Sequence, residues 1–325
     1  MSKTTAVSLL QRLLLHPSLQ NNLQFFHIQR FFELTTRLWL EIVPPNKARP
    51  AVLPSPIAAV LASVLDLEPA IIQLIWTAFS DLAQEAYLDL NSSSVDDNFK
   101  QHGHEHKLGA QSIVPPVTAC TRPECNNTNL SEKRIVEARL YTLRRGIIPI
   151  FSKSLYCRGC HTRYYHNYSV SEAENPEAQR QYYAVEVPKY IHVFESCYVE
   201  QELCHYFGSQ LCLNHSTSKG IAKVYNLSLA HTSEDHSASH LKDELEGDLV
   251  LEAFFLDAIL RDKAHRGLCL SLPHHGLQNH RLDAVLAKRN YIMVGTGQEM
   301  WAHTCSCCTR IYEGEDGNWC KASAF

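Results

Sequence analysis

The chain has 325 residues, 45% of them hydrophobic and 20% charged, with a formal net charge of -4. That length suits about two domains, and an ordinary apolar fraction with nearly balanced charge excludes a wholly disordered polyelectrolyte. The 12 cysteines follow no start of the positive, apolar, small-residue type, so the chain is not expected to be secreted, and its paired cysteines read as metal ligands rather than disulfides.

Residues 1–90 read as a helical region. Leu9, Leu10, Leu13 and Leu14, then Phe25, Ile28, Phe31, Phe32, Leu34 and Leu38, recur at helical spacing. Ser55-Pro56 reads as a cap followed by proline in the first turn, and Pro69 opens another helix through Ile72, Ile75 and Phe79. The apolar run from Ile57 to Trp76 is broken by Asp66, Glu68 and Pro69, so no membrane span is expected. Residues 91–113 lose apolar periodicity; with Asn91-Ser92-Ser93-Ser94 and the alternating histidines of 102–106 they read as a polar linker.

Residues 114–235 turn β-rich and carry the strongest signal. Leu140 to Leu143, a turn at Arg144-Arg145-Gly146, and Ile147 to Leu155 predict a hairpin that delivers the chain to Cys157. Further strands are expected at 163–165, 182–185 and 190–194. Cys120-x4-Cys125 and Cys157-x2-Cys160 flank the hairpin. Two such knuckles can close a tetrahedron of four thiolates around zinc, a shell with no position left for water or substrate. That favours a binding module over an enzyme, with no catalytic residues and no small-molecule substrate. The competing reading is four unrelated buried thiols. His161 beside the second knuckle reads as surface or as a neighbour of the ligands.

Residues 236–325 read as a helical segment followed by a second, partial cysteine cluster. Val199, Leu203 and Phe207 begin a helical stretch that includes Cys197 and Cys204; Leu249 to Ile259 carry another apolar stripe, 268–272 a short strand and 281–289 a helix. Cys197, Cys204, Cys212 and Cys269 are expected in the core. Near the end, Cys305-x2-Cys308 has His303, Cys307 and Cys320 as further metal candidates; a complete site and a truncated half-site both remain open. Between Cys120 and Tyr168 nine Lys or Arg stand against three acids, whereas 234–257 holds eight acids and only Lys242. A basic patch on the zinc module fits a phosphate backbone, with Arg144, Arg145, Arg158 and Arg163 as DNA contacts; a solvated basic face is the plain alternative.

The stretches 140–146 and 154–168, with Cys157-Arg158-Gly159-Cys160-His161 at their centre, continue through Tyr182-Tyr183, Tyr190-Ile191 and 222–226. They resemble the fifth type of CxC cysteine cluster associated with KDZ transposases. The stretch 289–305, including Gly295-Thr296-Gly297-Gln298-Glu299-Met300-Trp301, resembles the sixth type. The resemblance implies zinc chelation by Cys120, Cys125, Cys157 and Cys160, with Cys305 and Cys308 opening a second site. It further implies a mobile-element protein of fungal type that binds DNA in the nucleus. No acidic metal triad for strand transfer can be placed. The expectation is therefore a zinc-binding, transposon-derived DNA-binding or targeting protein without its own catalytic domain. The alternatives are a zinc-stapled protein-interaction module acting with a KDZ transposase in trans, and a decayed element. The expected fold is α+β: an N-terminal helical bundle, then a zinc-ribbon-like β-hairpin module with packed helices and the second, partial cluster.

Overall fold

The computed structural model describes residues 6–20, 23–44, 47–85, 98–99, 101–125, 128–183, 187–194, 196–229, 244–276, 280–293, 309–313 and 319–323. They fall into two compact units, Met1–His275 and Gly276–Phe325. The fold is mixed, with helices packed on a curled sheet.

Among the described residues, the first helices in chain order are α1 (Ala6–Leu14), α2 (Pro17–Gln20), α3 (Phe25–Arg37), α4 (Trp39–Ile42), α5 (Ser55–Leu65) and α6 (Pro69–Glu85). Helix α5 begins one residue earlier than its sequence signature implied. Pro54 occupies the cap position and Ser55 is already helical, so no side chain caps it. Asp66 ends α5 in the left-handed region (φ 52°), a conformation that aspartate tolerates. No single described helix is long and apolar enough to cross a membrane.

Strand β1 (Ser112–Ile113) is followed by a long hairpin of β2 (Ser131–Thr142) and β3 (Gly146–Cys157). Then come β4 (Thr162–Tyr164), β5 (Tyr168–Ser171), β6 (Gln179–Tyr182), β7 (Tyr190–Phe194), β8 (Cys197–Glu200) and β9 (Ser271–Pro273). The strands run in the order β7-β8-β2-β3-β4-β5-β6-β9, with β1 added beside β3. β2–β8 and β1–β3 are parallel; the other described ladders of this sheet are antiparallel. Between β8 and β9 lie α7 (Gln201–Cys212), α8 (Ser218–Ser228) and α9 (Gly247–His265). The second unit contains α10 (Asp283–Met293) and an antiparallel hairpin, β10 (Thr309–Glu313) with β11 (Trp319–Ser323).

The hairpin is covered on both faces. Side chains alternate along a strand, and Ala138, Leu140, Ile148 and Ile150 join one buried cluster with Phe31, Leu61, Ile75, Trp76 and Phe79 of the N-terminal helices. On the opposite face Tyr141 meets Tyr225 of α8, with ring centroids 6.4 Å apart. The sheet curls enough for its first and sixth strands to touch. His192 of β7 stacks on Tyr168 of β5 at 5.6 Å and on Tyr198 of β8 at 4.4 Å. Asn167 reinforces the closure: its amide donates to the Tyr190 carbonyl at 2.9 Å, and its oxygen accepts from His192 N–H at 2.5 Å.

Three expectations change. The N-terminal helices share one core with the sheet and do not stand apart as a bundle, because the inner face of the hairpin supplies the apolar partner for their stripes. Residues 98–99 and 101–113 are not a free tether: Phe99, Leu108, Ala110 and Ile113 are buried in that core. The chain there folds into a turn so tight that a Cβ on Gly103 would lie 2.2 Å from the Leu108 carbonyl oxygen. The remaining linker residues, 91–97 and 100, lie outside the described residues. Finally, Cys197 sits on a strand, not a helix; Cys204 is buried, but Cys212 and Cys269 are exposed, so core packing does not account for the latter two.

Candidate metal centre

The four cysteines of the two knuckles arrive from two local structures. Cys120 and Cys125 sit in a loop closed by a bridge between Ala119 and Asn129. Within it, Cys120 N–H donates to the Thr128 carbonyl at 2.8 Å, Thr128 N–H to that of Cys125 at 2.9 Å, and Cys125 N–H to that of Arg122 at 3.1 Å. Cys157 is the last residue of β3, and Cys160 lies in the turn into β4. Leu155↔Tyr164, Tyr156↔Arg163 and Cys157↔Thr162 are paired across that turn.

The sulfurs converge. All four lie within 4.8 Å of one another, with Cys120–Cys160 at 3.5 Å and Cys125–Cys157 at 3.8 Å. A tetrahedral ion with bonds of ~2.3 Å to sulfur would separate its ligands by roughly 3.8 Å. Cys120 and Cys157 are buried, Cys125 and Cys160 partly so. Gly159 makes room: a Cβ there would sit 3.3 Å from Cys125 Sγ and 3.8 Å from Cys157 Sγ. These residues fit a four-thiolate metal ion.

The ionisation pattern fits the same chemistry. Burial raises the Cys157 thiol, but the amides of Cys160 and Gly159, joined by the Cys120 and Cys160 side chains, outweigh it and bring Cys157 down to about 7. Burial holds Cys120 above the ordinary thiol value. Cys125 is pushed up by its neighbour Cys160, then by burial and by Cys157. Thus one sulfur is set to ionise first, and its negative charge resists ionisation of the others until a cation arrives.

Two neighbours went unrecognised in the sequence. Tyr164 places its hydroxyl 3.2 Å from Cys120 Sγ and accepts from Thr121 N–H at 3.1 Å. Its own proton can therefore point at the sulfur. Thr162 Oγ1 lies 3.2 Å from Cys160 Sγ. The available signal was position: residues two and four beyond Cys160, on the strand that returns past the knuckle. His161 is exposed, with Nδ1 2.8 Å from the Tyr156 hydroxyl, and it is not one of the converging group.

The basic residues do not gather into one surface. Arg139 and Lys153 are buried at 2% and 3% exposure, held by Glu137 and Glu41 respectively. Arg163 donates to Ser154 Oγ at 3.2 Å and lies over the Tyr156 ring. Arg144 sits at the hairpin tip, 3.7 Å from Glu202, and Arg145 beside it. Arg158 is at the other end of β3, which at ~3.3 Å per residue is roughly 36 Å away. The four arginines expected to meet DNA therefore form two groups. His303, Cys305 and Cys308 lie outside the described residues; Cys320 lies on β11, paired in register with Tyr312.

Comparison with known proteins adds one finding. Residues 108–229 match the family described as CxC5-like cysteine cluster associated with KDZ transposases. The matched span contains both cysteine pairs, the hairpin, the curled sheet up to β8, and α7 and α8. No curated protein and no solved structure matches the chain.

Proposed function

We propose that this CxC5-like cluster is a zinc-stapled, non-catalytic interaction module that serves a KDZ transposase supplied in trans, at the element's DNA in the nucleus. The convergence of four sulfurs within 4.8 Å carries the reading. Four thiolates in a tetrahedron suit zinc, and a closed shell serves structure rather than catalysis. An interaction surface is favoured over an extended DNA-binding face because buried Arg139 and Lys153 remove two charges from the basic excess, while Arg144 and Arg145 lie at the far end of the hairpin. A second reading, direct contact with duplex DNA, is favoured by the exposed Arg122, Arg134 and Arg158 around the cysteines.

The test uses the full chain, since a cut near residue 110 would strip the helices from Ile148 and Ile150. Metal analysis should find zinc, with one equivalent lost in Cys157→Ser. A KDZ transposase should co-purify with the wild-type chain, survive nuclease treatment, and be lost with Cys157→Ser. Co-purification abolished by nuclease, together with duplex binding whose logarithm falls by about 0.9 per neutralised phosphate with log salt, would replace this reading with the DNA one. A chain that carries no zinc and yet keeps its cysteine loop and knuckle folded would refute both.

A further inference from the structure

We propose that the cleft between the N-terminal helices and the cysteine-bearing loop binds a small carboxylate carried on an apolar stem. The cleft has a volume of about 240 Å³, below the ~300–1,000 Å³ of most ligand pockets, so it admits a short chain. Leu40 and Pro44 wall it on the helical side, and Val117, Leu130 and Leu155 on the sheet side. Into this apolar setting project Lys47, Lys133 and Lys153, with Glu41 as the carboxylate among them.

One carboxylate cannot neutralise three ammonium groups. Glu41 forms an ion pair with Lys153 and lies 3.7 Å from Lys133. Lys153 is only 3% exposed; burial pulls its amine down to about 8 while Glu41 draws it up, so it is mostly charged at neutral pH. Lys47 and Lys133 are exposed at the rim. The set retains an excess of positive charge over a low-dielectric floor, where a charge-assisted bond to a carboxylate is strong. A bare inorganic anion would leave the apolar walls unmatched, and an alcohol would leave the lysines unmatched. An apolar acid satisfies both. Two sources share that chemistry: a free short-chain acid, or the C-terminal carboxylate of a peptide ending in an apolar residue.

Calorimetry on the full chain separates the outcomes. Hexanoate is the free-acid probe, hexanol the uncharged control, and the tripeptide Gly-Gly-Leu, as acid and as amide, the peptide probe. Hexanoate or the tripeptide acid should bind, with hexanol and the amide at least about tenfold weaker. Lys47→Gln with Lys133→Gln should weaken the acid by at least about tenfold as well, while circular dichroism stays unchanged, because both side chains are exposed. Tighter binding of the tripeptide acid than of hexanoate identifies a chain terminus as the source; the reverse identifies a free acid. Equal affinity for hexanoate and hexanol, unchanged affinity in the double variant, or no binding by either acid overturns the proposal.

Discussion

The two ends of the β2–β3 hairpin are held by different physics. At the tip, Thr142 Oγ1 donates to the Gly146 carbonyl at 2.9 Å and accepts from Arg145 N–H at 3.0 Å. Leu143 N–H reaches the Glu200 carboxylate at 3.2 Å, and Tyr225 of α8 donates to the Thr142 carbonyl at 2.9 Å. Just below, Leu140 and Ile148 enter the large core shared with the N-terminal helices. At the base, the buried cluster is Cys120, Cys157 and Tyr164, with a few half-buried neighbours. An apolar core of that size cannot offset the entropy of ordering two loops. The tip can stand on burial and hydrogen bonds, whereas the base has four converging thiols through which a metal ion could close it.

The largest effect that separates the ends is loss of a ligand. Structural zinc contributes about 10–16 kcal/mol of apparent binding energy in small peptides. Cys157→Ser, or removal of zinc by a strong chelator, should abolish amide protection in 117–130 and 156–171 while the tip and helices stay protected. Hydrogen exchange by mass spectrometry reads this directly. Equal loss of protection at both ends would show that the hairpin is one cooperative unit and that the division is wrong.

The next effect is that of pH on the base alone. Metal binding displaces thiol protons, and Cys120 and Cys125 are both held above the ordinary value. At least two protons must therefore leave at neutral pH, so apparent zinc affinity should rise at least about 100-fold per pH unit. Below about 7 the Cys157 proton joins them and the dependence should steepen. Competition titrations with a chelator of known proton affinity, between pH 6 and 8, check the slope. A pH-independent affinity would mean that the thiols are already ionised.

Tyr164→Phe tests the layer behind the sulfurs. The phenol lies against Cys120, and burial followed by that sulfur holds it above its usual value, so it remains a donor. Groups in this position are typically worth about 10–100-fold in metal affinity. The variant should lose zinc to a competing chelator that the wild type resists, yet keep its fold when zinc is in excess.

What could be read from the sequence was what is local. The hairpin announced itself because alternating apolar residues and Arg144-Arg145-Gly146 lie within one stretch, and a C-x2-C turn carries its geometry with it. The packing of helices on the hairpin was hidden because the stripe on α3 says only that an apolar partner exists; Ile148 and Ile150 lie far along the chain. The same distance misled the charge count. Lys153 read as surface charge because its partner, Glu41, sits in a helix with no local sign of the pairing. Asp257 was counted among the eight acids of 234–257, but it is fully buried, paired with Arg261 at 2.8 Å and facing His205 at 3.9 Å.

A smaller effect tests the tip. Tyr225→Phe deletes one buried hydrogen bond to the Thr142 carbonyl and leaves the ring contact with Tyr141 in place. The expected cost is about 1 kcal/mol, read as a lower urea midpoint at unchanged slope. Zinc affinity should not move, since the tip and the base are separated by the length of β3. A parallel loss of zinc would couple the two ends and blur the contrast.

The smallest effect is expected where the sequence pointed most strongly to DNA. Arg144 and Glu202 are 3.7 Å apart with side chains 69% and 60% exposed, a geometry in which ion pairs contribute little. Arg144→Glu with Arg145→Glu should therefore leave thermal stability nearly unchanged. It should also leave any duplex binding unchanged, because the tip lies roughly 36 Å from the knuckles along β3 and the exposed arginines near the cysteines are Arg122, Arg134 and Arg158. Fluorescence anisotropy with a duplex at low salt compares this pair with Arg122→Glu and Arg158→Glu. Loss of binding in the Arg122→Glu and Arg158→Glu variants alone would place DNA contact at the cysteine end of the hairpin. Loss in the tip pair would show that the tip, held without metal, is itself the contact surface, and the functional contrast between the two ends would have to be reversed.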